Sequence, residues 1–104
     1  MPRAQFDFLD LPRQMPKELA VATRLGLDVE IYGRFEPAEA KAQAGRCLDC
    51  GNPYCSNGCP VGNAIPQWLE LVRQGRLFEA ATLAHETNPL PEICGRVCPQ
   101  DRLC

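Results

Sequence analysis

The chain has 104 residues and a net charge of −2, with 45% apolar residues, ten prolines, eight glycines and seven cysteines. That length allows at most one domain, with little material for a self-sufficient core. The slightly acidic balance offers no basic stripe for phosphates, which argues against nucleic acid as a partner. No stretch approaches the roughly 20 apolar residues of a membrane span, and the opening Met1-Pro2-Arg3-Ala4-Gln5 carries no secretory-type apolar run. The reading is a soluble, cytoplasmic chain without membrane contact, where a reducing environment keeps thiols available for metals.

Residues 1–35 contain no cysteine and little sustained periodicity. Phe6–Leu11 and Val29–Tyr32 read as extended, partly apolar stretches, so this part is expected to be an extended N-terminal arm lying on the domain or on a partner. From residue 36 onward the chain reads as a helical domain. Pro37 stands where a first-turn proline is tolerated, and Ala38-Glu39-Ala40-Lys41-Ala42 are strong helix formers, so a helix should run into Cys47. The run from Asp49 to Pro60 is turn chemistry.

Ile65, Trp68, Leu69 and Val72 recur at i, i+3, i+4, i+7 and predict an amphipathic helix, with Pro66 near its start and Gly75 as its C-terminal cap. Leu77, Ala80, Ala81 and Ala84 predict a second helix ending near Asn88, and a short helix is expected from about Pro91 to Cys98. These stripes are expected to pack on each other, with Trp68 in the core and His85 facing solvent or a polar neighbour. Glu36, Glu39 and Lys41 read as a solvated helix face. No hairpin signal is present. The fold class is all-α with long irregular connections.

The cysteines fall in two groups. Cys47, Cys50, Cys55 and Cys59 spell C-x2-C-x4-C-x3-C-P, and Cys94, Cys98 and Cys104 spell C-x3-C-P-x4-C. Disulfides fit poorly, because the number is odd and Cys47 and Cys50 are too close for a strong clamp. Structural zinc, as in a docking module without redox function, stays open as an alternative. Zinc sites however usually close one tetrahedron from two separated pairs. Buried thiols acting as small hydrophobes suit Cys94 but not the Gly- and Pro-rich run from Cys47 to Pro60.

Iron–sulfur clusters suit the spacing best. A short loop with two- and four-residue gaps can wrap three corners of a cubane. The C-x3-C-P ending of bacterial ferredoxin runs sends its last cysteine to the other cluster. On that logic Cys47, Cys50 and Cys55 hold one cluster, while Cys59 crosses to a second with Cys98 and Cys104. Gly51, Gly58 and Gly62 would let the backbone approach the cubane. Each set is one ligand short, and the stop at Cys104 reads as a truncation. Arg96 is expected to face either a sulfur or a carboxylate.

Arg46–Cys55, Gly58-Cys59-Pro60, Asn63–Leu69, Gly75–Ala81, Thr87–Glu92 and Cys94–Cys104 together resemble the N-terminal region of glutamate synthase small (β) subunits. The wider superfamily of α-helical ferredoxin-like domains includes the cluster-bearing domain of dihydropyrimidine dehydrogenase. The resemblance implies an α-helical ferredoxin-like domain with two low-potential [4Fe-4S] clusters, lying ahead of a domain that binds FAD and NADPH. In that family electrons pass from NADPH through FAD and these clusters to the large (α) subunit, where glutamate is made from glutamine and 2-oxoglutarate. It also implies that both fourth ligands lie downstream of Cys104, and that Cys94 is not a ligand. No G-x-G-x-x-G fingerprint occurs, so the segment alone is not expected to bind nucleotide or to catalyse. The equivalent domain of another NAD(P)H flavoprotein is the alternative within the same superfamily.

Overall fold

The computed structural model describes residues 6–28 and 30–104. Among them the chain forms α1 (Asp7–Asp10), α2 (Val21–Leu27), α3 (Pro37–Gly45), α4 (Tyr54–Gly58), α5 (Ile65–Arg73), α6 (Leu77–His85), α7 (Pro91–Val97) and α8 (Gln100–Leu103). The β structure among these residues is a single antiparallel bridge, Glu18 to Tyr32. The all-α class is borne out.

Helix α3 starts on a capping box. The Glu36 carboxylate accepts from the first-turn backbone, and the Glu39 carboxylate accepts the Glu36 N–H at 3.0 Å. These two glutamates therefore do more than face solvent, as the sequence had suggested. The helix ends at Gly45, two residues before Cys47, so the cysteine starts the following loop instead of closing the helix.

Helix α5 packs on α3 at one side and on α6 at the other. Ala44 and Gly45 of α3, Pro66 of α5 and Ala80 of α6 are the buried residues of these helices. Small side chains at the seams let the helices approach closely. The predicted α5 stripe is in place, with Ile65, Trp68, Leu69 and Val72 all half-buried and Gln67 exposed between them. On α6 the inward row is Ala80, Leu83 and Ala84, whereas Leu77 and Ala81 are exposed. Only one narrow side of α6 faces α5, so the predicted stripe is displaced by part of a turn. Gly75 closes α5 at φ +80°, the left-handed conformation that favours glycine.

Two buried asparagines complete the interior. The Asn63 carboxamide oxygen accepts the Trp68 indole N–H at 2.7 Å, and its amide donates to the Ala84 carbonyl at 3.1 Å. The loop before α5 is thereby fastened to the last turn of α6. Asn88 accepts the Leu90 N–H at 3.0 Å, an Asx turn that leads the chain through Pro89 into α7.

In the N-terminal part, Asp7–Asp10 is a helical turn and Val21–Leu27 a helix, where extended chain and no helix, respectively, had been expected. Neither contains a buried residue, which is why no apolar periodicity announces them. Val29 lies outside the described residues. Around it the chain pairs with itself: the Leu19 N–H donates to the Ile31 carbonyl and the Gly33 N–H to the Lys17 carbonyl, both at 2.8 Å. The segment is tied to α3 by Gln43, whose amide donates to the Pro12 carbonyl at 3.2 Å while its oxygen accepts the Gln14 N–H at 3.0 Å. The Arg46 guanidinium adds a 2.9 Å bond to the Leu11 carbonyl.

Candidate iron–sulfur site

None of the seven cysteines, all among the described residues, is joined in a disulfide. Cys47 lies just past the end of α3, and Cys50 is exposed in the loop that follows. Cys55 is in α4, a helical turn inside the run where only turns were expected, and Cys59 is the residue that ends it. Cys94 is within α7, Cys98 ends that helix and Cys104 ends α8.

Local backbone geometry orients the first group. Asp49 is left-handed (φ +54°), and its N–H points at Cys47 Sγ, 3.5 Å away. Asn57 donates to Asn52 at 2.7 Å across the intervening residues. The Ser56 hydroxyl accepts the Ile65 N–H at 3.3 Å, fixing α4 to the start of α5. Beyond Cys59 the chain turns sharply, with the Gly62 N–H donating to the Cys59 carbonyl at 2.9 Å. Pro60 takes the second turn position, where its fixed φ suits, and Gly62 follows at φ +59°.

The two cysteine groups meet at Gly58. A side chain there would run into the Leu103 carbonyl and come within 3.7 Å of the Cys104 Cα. The residue before Cys59 thus lies directly against the end of α8, and the two backbones bring Cys59 and Cys104 into the same neighbourhood. Of the three glycines expected to allow close approach, Gly58 makes one to the chain itself, while nothing lies near Gly51 or Gly62.

Among the described residues, no three His, Cys, Asp or Glu side chains converge tightly enough to hold a single metal ion. A cubane asks for something else, since its four thiolates sit on four corner irons and stand further apart than the ligands of one ion. The donor set suits such a group: thiols at the ends of short helices, an amide N–H directed at sulfur, and the nearby carbonyls tied up in turns.

Cys94 is set apart. Its thiol donates to the Oδ1 of buried Asn88 at 3.6 Å, a contact that uses the proton a ligand would have to lose. Arg96 pairs with Glu30 at 2.8 Å on the surface and so takes the carboxylate of the two expected options. His85 is exposed at the end of α6. Asn63, Asn88 and Ser56 were not anticipated as anchors of the site. Only the Asn88-Pro89 dipeptide carried a signal, as a turn initiator.

Helices joined by cysteine-bearing turns, with no sheet among the described residues, define the site as that of an α-helical iron–sulfur protein. Comparison with known families agrees: residues 26–104 match the family described as dihydropyrimidine dehydrogenase domain II, 4Fe-4S cluster, and the chain belongs to that family. It is 58% identical over 99 residues to the glutamate synthase [NADPH] small chain of Halomonas elongata, and 59% over 99 residues to that of Escherichia coli (strain K12). Both alignments cover 95% of this chain and 21% of the relative. A further Escherichia coli (strain K12) protein, named only as an oxidoreductase (AegA), is 52% identical over 94 residues, 88% of this chain and 14% of its own. The chain therefore spans about a fifth of the length of the curated small chains it matches.

Proposed function

We propose that this chain is the electron-transfer domain of an NADPH-dependent glutamate synthase small subunit. The observation that carries this reading is the pair of cysteine groups on an all-α frame, joined to 58–59% identity with small chains over nearly all of its length. Cys47, Cys50 and Cys55 would hold one [4Fe-4S] cluster, and Cys59, Cys98 and Cys104 a second. The contact of Gly58 with Leu103 supports placing Cys59 with Cys104. Such clusters, when bound, pass single electrons, here from the FAD and NADPH domain of the same subunit towards the large (α) subunit that makes glutamate. The protein's share is to hold the thiolates and to direct an amide N–H at sulfur, as Asp49 does toward Cys47.

Residues 1–35 would serve as an arm on this domain, which would comprise residues 36–104. The bonds from Gln43 and Arg46 to that arm support the division. Seven cysteines outside any disulfide suit a cytoplasmic setting. No helix among the described residues is long and apolar enough to cross a membrane.

The likeness to AegA favours, as a second reading, the equivalent domain of another oxidoreductase. The test is anaerobic purification followed by metal analysis and EPR. Equal amounts of iron and acid-labile sulfide, with a visible absorption that bleaches on reduction, are expected. Stoichiometric zinc without a chromophore would overturn both redox readings. Reduction by NADPH of the intact protein, with and without a glutamate synthase large subunit, then separates the two.

A further inference from the structure

Helix α7 carries Cys94 and leads into Cys98, yet the substantial helix packings among the described residues, α3 on α5, α6 on α5 and α4 on α5, do not include it. One of its ties to the rest of the chain runs to the N-terminal arm: the Arg96 guanidinium, between the two cysteines, pairs with the Glu30 carboxylate at 2.8 Å. Glu30 is not on a loose end. The bonds from the Leu19 N–H to the Ile31 carbonyl and from the Gly33 N–H to the Lys17 carbonyl close the chain around it. The same arm grips the end of α3. A side chain on Gly45, the last residue of that helix, would lie 3.6 Å from the Asp7 carboxylate, and the Arg46 guanidinium donates to the Leu11 carbonyl at 2.9 Å. Arg46 immediately precedes Cys47.

We propose that the arm is a strap across the two cysteine groups: it grips Arg46 beside Cys47 and, through Glu30, Arg96 ahead of Cys98, and so holds the clusters against release. The inference rests on the function proposed above. A cluster held by thiolates from separate elements leaves when those elements part, and the population of the opened state sets how fast a chelator takes the iron. An exposed ion pair adds little to the stability of a whole domain. Its full weight falls here on the opening of α7, a helix that can swing away while α3, α5 and α6 stay packed.

The test follows iron loss to a chelator from the anaerobic, cluster-loaded protein, with each cluster tracked by its EPR signal after reduction. Glu30→Gln should release the cluster assigned to Cys98 about two- to fivefold faster, the range of an exposed ion pair. High salt should erase that difference. Arg46→Met, which keeps the stem and loses the donor, should release the cluster assigned to Cys47 roughly tenfold faster. Arg96→Glu should release faster still than Glu30→Gln, and the charge swap Glu30→Arg with Arg96→Glu should return towards the wild-type rate. A glutamate at position 96 is present in both the single and the swapped protein, so its field on the cluster cannot produce that rescue. Should Arg96→Glu hold no cluster, Glu30→Gln, far from the cysteines in sequence, decides the matter. A Glu30→Gln protein that releases iron at the wild-type rate, or a swap no slower than Arg96→Glu alone, would overturn the strap while leaving the electron-transfer reading intact. A wild-type protein without iron and sulfide would overturn both.

Discussion

The backbone of Gly58 lies against the carbonyl of Leu103, so that a methyl group on Gly58 would overlap that oxygen and lie 3.1 Å from the carbonyl carbon. Both obstructing atoms are main chain and cannot move aside by changing rotamer. Gly58→Ala must therefore push the end of α8 away from Cys59, at a cost of about 1–3 kcal/mol. The expected result is loss of the cluster assigned to Cys59, Cys98 and Cys104, with the other retained. Iron per chain should fall by about half, while far-UV circular dichroism keeps its helical signal, because α3, α5 and α6 pack on one another through other residues.

Asn63 is the hinge pin between the cysteine loop and the helices. Asn63→Ala leaves the Trp68 indole N–H and the Ala84 carbonyl without partners in a buried place, which should cost about 2–4 kcal/mol. Trp68→Phe removes one partner of the same pair and should cost less. The two can be ranked by urea denaturation followed by circular dichroism. A double variant that costs less than the sum of the singles would show the two residues acting together.

Gly75 should resist substitution for a reason of its own. At φ +80° an alanine costs about 1–2 kcal/mol, and its methyl would also meet the Lys41 side chain at 3.0 Å. The lysine stem is flexible and can yield, so backbone strain should dominate. Gly75→Ala and Gly75→Ala with Lys41→Ala should then melt at nearly the same temperature, both below the wild type.

The Arg76 guanidinium, which donates to Glu79 at 2.9 Å, holds that carboxyl below its ordinary pKa. A depressed carboxylate favours the folded state while it is ionised. Its contribution is present above the normal glutamate range and fades as the pH falls through the depressed value. The pair is exposed on the surface, so the effect should be small and weakened by salt. Glu79→Gln should flatten the acid limb of a melting-temperature profile slightly and leave the neutral region nearly unchanged.

Cysteine replacement gives the sharpest contrast. Cys59→Ser should remove a cluster. Cys94→Ser should keep full iron and sulfide, since a serine hydroxyl can also donate to Asn88. Iron and sulfide analysis with EPR of the two variants checks this. A Cys94→Ser protein that loses a cluster would move Cys94 into the ligand set.

The helices around α5 were legible because the sequence there obeys a physical period: Ile65, Trp68, Leu69 and Val72 must share a side, and the structure covers that side. The cysteine spacing was legible for a related reason, since the gaps between ligands are set by the shape of what they would wrap. Helices α1, α2 and α8 were not legible, because they bury nothing and their residues carry no period. Nor could Asn63 be foreseen, as its partners are a side chain five residues on and a carbonyl that only the packing of α6 brings near. The chain reversal at Asp49 left no trace either, because an aspartate in a loop is ordinary until its φ is known.

Gln43 gives to the segment at residues 12–14 one acceptor and one donor, the same pair that a neighbouring strand would offer, and it addresses only main-chain atoms. Recognition of that kind is blind to the identity of the side chains it passes. Along a lineage, Arg13 and its neighbours can drift freely so long as the backbone keeps its path. The burden of constancy falls on one carboxamide of α3 and on the Arg46 guanidinium beside it, and Gln43→Glu, which forfeits the donor, would loosen the arm.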